Sequence, residues 1–315
     1  MTRLAASIGE TAVVATARAH AKVNLDLRIL ATRADGYHEL ATVFQTLRLH
    51  DTLVFRAESG PFRLACETPG VPLDRSNLVW RAAEALWRAA GRPGAPADLA
   101  ITLEKRIPAQ GGLGGGSADA AAALVTLNRL WSLEWPRARL AGIAATLGAD
   151  VPFFLEGGTA EGRGRGDELQ PLPDLPTHDV LVLVPGFGVP TADAYRWYDE
   201  AGERGSLPGD WPRDPAGWVA AFARCRNDLE PPVAARHPGI AEAVALVRRR
   251  ARLAAMSGSG SAVFGLFDTP EAAGALAGEA AHLGWRVIET ATLDRAGYLR
   301  SLLGGPELPA RSSFV

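Results

Sequence analysis

Cysteine is nearly absent from this 315-residue chain. Only Cys66 and Cys225 occur, far apart and without C-x-x-C spacing, which reads as free core thiols in a reducing compartment. The six histidines show no H-E-x-x-H or similar ligand spacing, so no protein-held zinc and no dedicated metal site is expected. No run of about 18 apolar residues occurs, so no membrane span is expected. An excess of one charge is also lacking. The net charge of −2 and pI near 6.3 argue against a global nucleic-acid footprint. Residues 1–15 carry Glu10 and no long apolar core, unlike a signal peptide. The expectation is a cytoplasmic protein, monomer or weak homodimer, whose partner is a small molecule. At 47% hydrophobic and 22% charged residues, the chain is long enough to bury two domains.

What the chain has is a concentration of glycine. Pro108-Ala-Gln-Gly-Gly-Leu-Gly-Gly-Gly-Ser-Ala118 places five glycines within residues 111–116. A strand-like run, Ile101–Ile107, leads in, and an alanine-rich helical run, Ala118–Leu130, leads out. Glycine allows close backbone approach, and the first N–H groups of a helix lack partners and carry partial positive charge. The layout predicts an anion cradle, with a plain flexible loop as the alternative. Walker A fails because Ser117 and Ala118 stand where Lys and Ser or Thr should follow Gly116. The dinucleotide fingerprint fails because Ser117 stands at its third glycine.

Upstream, Ala21–Leu30 alternates as a half-buried strand. Val23, Leu25, Leu27 and Ile29 share one face, and Lys22, Asn24, Asp26 and Arg28 the other. That polar face either meets solvent or looks into a site. Asp35-Gly36 predicts a hairpin into a strand from Phe44 to Leu49, with Tyr37 and His38 just past the turn. Shorter strands are expected at Asp51–Phe55 and Phe62–Cys66. Ser76 or Asn77 caps a helix that runs to Ala90. Lys105 lies among apolar strand residues, where it either snorkels or serves a ligand. After a helix at Pro136–Leu147, Asp150 is either an N-cap for a short helix or a free carboxylate on a loop.

Farther on, Asp179–Val184 reads as a buried strand, and Thr191 caps a helix through Trp197 that carries Tyr195. Residues 200–215 form a polar Gly/Pro-rich insertion. A helix spans Ile240–Arg252, with its arginines on a solvated face. Met256-Ser-Gly-Ser-Gly-Ser261 is a second glycine/serine turn before a strand at Ala262–Phe267. Pro270–Leu283 reads as a helix, Arg286–Thr292 as a strand, and the tail after Gly304 as disordered.

These residues resemble a family. Pro108 to Ser117 is similar to the second motif of the GHMP small-molecule kinases, and Met256–Ser261 to their third. Ala21-Lys-Val-Asn-Leu25, Asp35-Gly-Tyr-His38, Ser76-Asn-Leu-Val79, Leu147-Gly-Ala-Asp-Val-Pro-Phe153 and Asn227-Asp228 narrow the resemblance to a branch acting on a cytidyl-diphospho sugar alcohol of isoprenoid synthesis. The resemblance implies an α/β fold of two-layer α+β type. A ribosomal S5 domain 2-like domain at 1–165 would bind ATP, and a ferredoxin-like domain at 166–315 would help form the substrate site.

It further implies transfer of the ATP γ-phosphoryl to the C2 hydroxyl of a methylerythritol moiety, with Mg²⁺ held on the phosphates. Lys22 and Asp150 match the catalytic pair. Asn77, Lys105 and the segment Pro108, Ala109, Gln110, Gly111, Gly112, Leu113, Gly114, Gly115, Gly116, Ser117, Ala118 match the ATP side. Asn24, Tyr37, His38 and Tyr195 match the substrate side, His38 reading the cytosine edge. Gln110 departs from the family's usual small residue, and Tyr195 stands where phenylalanine is usual. The alternatives are a homoserine or mevalonate type of GHMP kinase, and a non-catalytic nucleotide-binding regulator on the same fold.

Overall fold

The computed structural model describes residues 13–202 and 205–302. The expectations for the first twelve residues and for the tail after Gly304 lie outside these. β1 (Val13–Thr32) turns at Asp35-Gly36 into β2 (His38–Pro61), and the two pair antiparallel along almost their whole length. Gly36 takes φ +82°, the left-handed conformation such a turn demands. β3 (Arg63–Cys66), α1 (Leu78–Ala89), β4 (Ala97–Glu104), α2 (Gly115–Leu130), α3 (Arg137–Leu147), α4 (Phe153–Glu156), β5 (Thr159–Gly164) and β6 (Glu168–Pro171) follow. The six strands form one sheet. β2 gives its first half to β5 and its second half to β4, while β1 runs along its other edge. The separate strands expected at 44–49 and 51–55 are therefore one strand of 24 residues.

β7 (Asp179–Val184), α5 (Thr191–Ala201), a 3₁₀ turn at Pro215–Gly217, α6 (Trp218–Ala221), α7 (Glu230–Arg236), α8 (Pro238–Arg248), β8 (Leu253–Met256), β9 (Val263–Phe267), α9 (Pro270–Ala281) and β10 (Arg286–Ala291) complete a second sheet and its helices. Its antiparallel order, β10-β7-β9-β8, is that of a β-α-β-β-α-β ferredoxin-like unit. The chain is thus a two-domain α/β protein with two sheets, and the change of sheet falls between Pro171 and Asp179. The predicted helix at 240–252 starts earlier, at Pro238, and ends at Arg248. α10 (Arg295–Leu302), which had no sequence signal, returns to pack on β1.

Two features position the site. First, α2 is buried through Ala118, Ala120–Ala123, Leu124 and Leu127, in one core cluster with Ala17 and Ala19 of β1. Small residues on both elements let helix and strand approach closely, which carries the glycine loop to Lys22. Second, β1 is not half-buried: Lys22, Asn24, Asp26 and Arg28 are all buried. Arg28 pairs with Asp26 (2.9 Å) and donates to the carbonyls of Ser206, Leu207 and Arg224. Asp26 accepts the Arg226 N–H at 2.9 Å, and Asp228 that of Ile29 at 3.0 Å. The segments at 205–207 and 224–228 thus cover the polar face that alternation alone left to solvent. Each buried polar group there has a partner, as burial requires.

Candidate active site

The glycine loop joins β4 to α2. Helix α2 begins at Gly115, three residues earlier than expected, so Gly115, Gly116 and Ser117 form its first turn rather than loop. The first intrahelical backbone bond runs from the Ala118 N–H to the Gly114 carbonyl at 2.9 Å. The preceding N–H groups are those that a helix start leaves without an internal acceptor. Gly114, the N-cap, takes φ +73°. A Cβ there would lie 2.7 Å from a Phe154 ring carbon and 3.0 Å from the Lys22 Cγ. The loop is fixed from below as well, since the Lys22 N–H donates to the Leu113 carbonyl at 3.0 Å.

The Lys22 ammonium is almost wholly buried. It donates to Asn24 Oδ1 at 2.6 Å and lies 3.5 Å from Asp150 Oδ2. Asn24 is in turn held by Thr42 (2.7 Å), whose hydroxyl donates to the Asp26 carbonyl. A Phe44 ring lies 5.5 Å under the ammonium and packs on Phe153. Apolar surroundings of this kind strengthen electrostatic interactions. Asp150 keeps a third of its side chain exposed. It does not cap α4, whose N-cap is Pro152 without a side-chain bond, so the capping alternative is overturned.

Lys105 does not snorkel. Just past the end of β4, its ammonium is clasped by Asp51 and by Asp119 Oδ2 (2.7 Å). Asp51 Oδ1 also accepts the Arg106 and Ile107 N–H groups at 2.5 and 2.8 Å. Burial works against the charge of Lys105, but the two carboxylates outweigh it and its pKa is raised. Burial lifts Asp119 well above the usual carboxylate range despite Lys105, and its Oδ1 has no partner among the described residues. The cluster ties the strand entering the loop to the helix leaving it. Asn77 caps α1, accepting the Val79 N–H at 2.8 Å, while its amide donates to the Pro72 carbonyl.

The third motif closes over the second. Ser257 Oγ donates to the Gly112 carbonyl at 2.9 Å, and the Ser261 and Ala262 N–H groups reach the carbonyls of Gln110 and Gly111. A Cβ on Gly112 would overlap the Ser257 carbonyl, and one on Gly258 would sit 3.3 Å from Lys22 Nζ. Asn227 pins this motif by donating to the Met256 and Gly258 carbonyls at 2.8 and 2.7 Å. A cavity of about 290 Å³ lined by Tyr198, Arg226, Asp228, Glu230 and Arg248 also borders Asn227, but it shares neither Lys22 nor Asp150.

His38 and Tyr195 come together, with ring centroids 4.9 Å apart and planes 24° from parallel. Burial, and after it the charge of Asp150, raise the Tyr195 pKa. Tyr37 does not join them: it is 58% exposed, with the Arg165 guanidinium 5.3 Å from its ring. Asp51, Asp119, Asp199 and Asn227 were missed as site residues. Only Asn227 had a signal, in its Asn-Asp pair. The carboxylates act across 14 to 161 residues of sequence, which no local pattern reports.

Residues 77–158 match the GHMP kinases N-terminal domain, and 218–283 the GHMP kinases C-terminal domain. The 4-diphosphocytidyl-2-C-methyl-D-erythritol kinase of Pelotomaculum thermopropionicum is 44% identical, over 83% of this chain and 92% of its own length. That of Ralstonia nicotianae is 43% identical, over 82% and 87%. A crystal structure of 4-(cytidine 5'-diphospho)-2C-methyl-D-erythritol kinase superposes with a TM-score of 0.70 at 41% identity, over 88% of this chain and 98% of that one. A homoserine kinase from Cytophaga hutchinsonii, at 19% identity and a TM-score of 0.66, shares the fold.

Proposed function

The chain belongs to the 4-diphosphocytidyl-2-C-methyl-D-erythritol kinases, a branch of the GHMP kinases, and we propose on that footing how its residues carry the reaction. The reaction is transfer of the γ-phosphoryl of ATP to the C2 hydroxyl of 4-(cytidine 5'-diphospho)-2-C-methyl-D-erythritol. The observation that carries the reading is the Lys22–Asp150 pair, 3.5 Å apart at the foot of the glycine loop.

Phosphoryl transfer depends on positioning and charge stabilisation. The N–H groups that the start of α2 leaves without an internal acceptor, those of Gly115, Gly116 and Ser117, hold the phosphates, within a loop that runs from Pro108 through Ala118. Magnesium enters with the nucleotide, and bound there it neutralises phosphate charge. No group of three His, Cys, Asp or Glu side chains among the described residues is arranged to hold it. Asp150 accepts the C2 hydroxyl proton, since its oxygens are not engaged in capping. Lys22, held by Asn24, faces the transferred group. Two of the three N–H donors of Lys105 go to Asp51 and Asp119, leaving one for the nucleotide, and Asn77 keeps one free amide hydrogen. His38, Tyr195 and Tyr37 meet the cytidine. Residues 1–165 supply the ATP site and 166–315 complete the substrate site. The unpaired Cys66 and Cys225 suit the cytoplasm.

A panel of the cytidyl substrate, homoserine and mevalonate, each with Mg-ATP, tests the reading. Turnover is expected with the cytidyl substrate. Preferred turnover of homoserine or mevalonate, or nucleotide binding without turnover, contradicts it.

A further inference from the structure

One face of α5 grips the imidazole of His38. Tyr195 stacks on the ring, Tyr198 meets it edge-on at 6.5 Å and 87°, and Asp199 Oδ1 bonds its Nε2 at 2.8 Å. These three residues lie at spacings of three and four, which places them side by side on a helix. Together they set the ring's position, its plane and its proton. An ionised carboxylate only accepts hydrogen bonds. In the neutral imidazole the proton is therefore on Nε2, and Nδ1 is a lone-pair acceptor. No described group bonds Nδ1.

A pyrimidine base meets an acceptor in one of two ways. Cytosine presents its N4 amine, a donor, where uracil or thymine presents O4, an acceptor. Nδ1 matches the first and repels the second. A base paired in the plane of His38 lies roughly parallel to the Tyr195 ring and can share its stack.

We propose that Asp199 is a specificity-determining positioning residue: by holding the Nε2–H tautomer of His38, it makes the site select a cytosine-bearing substrate over a uracil-bearing one. This rests on the reading that His38 meets the base. Asp199 touches no substrate and acts through His38 alone. Its side chain is 53% exposed, so replacing it removes the anchor without opening the core.

The test compares kcat/KM for the cytidyl substrate and its uridyl analogue in the wild type, Asp199→Ala and Asp199→Glu. Two- and three-bond ¹H–¹⁵N correlations of the His38 ring are recorded in each. The wild type is expected to show Nε2–H and to prefer cytosine. Asp199→Ala is expected to show mixed tautomers, an unchanged KM for ATP, and a cytosine preference reduced by roughly 10- to 100-fold, the scale of one mismatched base contact. Asp199→Glu, which restores a carboxylate, is expected to recover part of the preference. An unchanged preference in Asp199→Ala, or Nδ1–H in the wild type, overturns the proposal. Wild-type turnover of neither nucleotide substrate overturns the reading beneath it instead, and the proposal with it.

Discussion

Lys22 Nζ and Asp150 Oδ2 lie 3.5 Å apart, while the short hydrogen bond of Lys22, 2.6 Å, goes to Asn24. The pair is therefore coulombic rather than hydrogen-bonded. Asn24 fixes the ammonium, and the half-buried carboxylate keeps its lone pairs for an incoming hydroxyl. Asp150→Asn is expected to fold normally and to lose at least about 10²-fold in kcat, the usual scale of general-base catalysis. ATP affinity by calorimetry should hardly move. Retained turnover in this variant removes Asp150 from the chemistry.

Lys22→Arg is expected to be as inactive as Lys22→Met. A guanidinium is wider than an ammonium, and the backbone leaves little room for it: a Cβ added to Gly114 or Gly258 would lie within 3.0 or 3.3 Å of the Lys22 side chain. Steady-state kinetics of the two variants, side by side, check this.

The glycine loops test each other. Gly112→Ala pushes a methyl group into the Ser257 carbonyl and forces a left-handed φ of +73° on alanine. The expected result is a raised KM for ATP and a lower melting temperature. Asn227→Ala leaves the Met256 and Gly258 carbonyls without their donor and is expected to give a milder change in the same direction, about 1–3 kcal/mol in denaturant unfolding.

Lys105→Met leaves two buried carboxylates facing each other without a cation. A stability loss of about 3–5 kcal/mol is expected from breaking such a buried pair, measured by urea unfolding. Adding Asp119→Asn in that background should recover part of it, because one of the stranded charges is gone.

The C-terminal helix brings a pH dependence. His20 is buried between the Leu47 carbonyl (3.0 Å) and Ser301 of α10 (2.8 Å), and burial, reinforced by His50, lowers its pKa to about 3. The unfolded chain takes up this proton below about pH 6.5 and the folded protein does not until about 3. Stability from this group is complete above that window and falls as pH drops through it, by up to about 1.4 kcal/mol per pH unit. The raised carboxyl of Asp119 has the opposite sign, so the informative quantity is the difference between wild type and His20→Gln. That difference should shrink from pH 7.5 to 4.5 in urea titrations, and a constant difference speaks against a buried neutral His20.

The sequence carried the anion cradle because a glycine loop is a local pattern, and it carried Lys22 and Asp150 through short motifs around each. One further signal was available: of 33 basic residues only Lys22 and Lys105 are lysines, and beside the glycine loop the structure buries the first and leaves 11% of the second's side chain exposed. An arginine-rich chain keeps a lysine where a compact ammonium is needed. The burial of Asp26 and Arg28 was not legible, because their cover comes from segments almost 200 residues away. Asp51 and Asp119 were hidden for the same reason, and Asp199 looks like any exposed helical acid until His38 is placed beside it. Helix α2 starts three residues before the alanine run because Gly115 and Gly116, which read as loop, sit in its first turn, where a ligand can replace side-chain packing.

The most direct measurement is the product itself. The wild-type protein with Mg-ATP and ¹³C-labelled 4-(cytidine 5'-diphospho)-2-C-methyl-D-erythritol should give one new phosphate whose ³¹P–¹³C coupling falls on C2, together with one equivalent of ADP. Phosphate on another carbon, or ADP formed without a phosphorylated product, contradicts the assignment of Asp150 to the C2 hydroxyl.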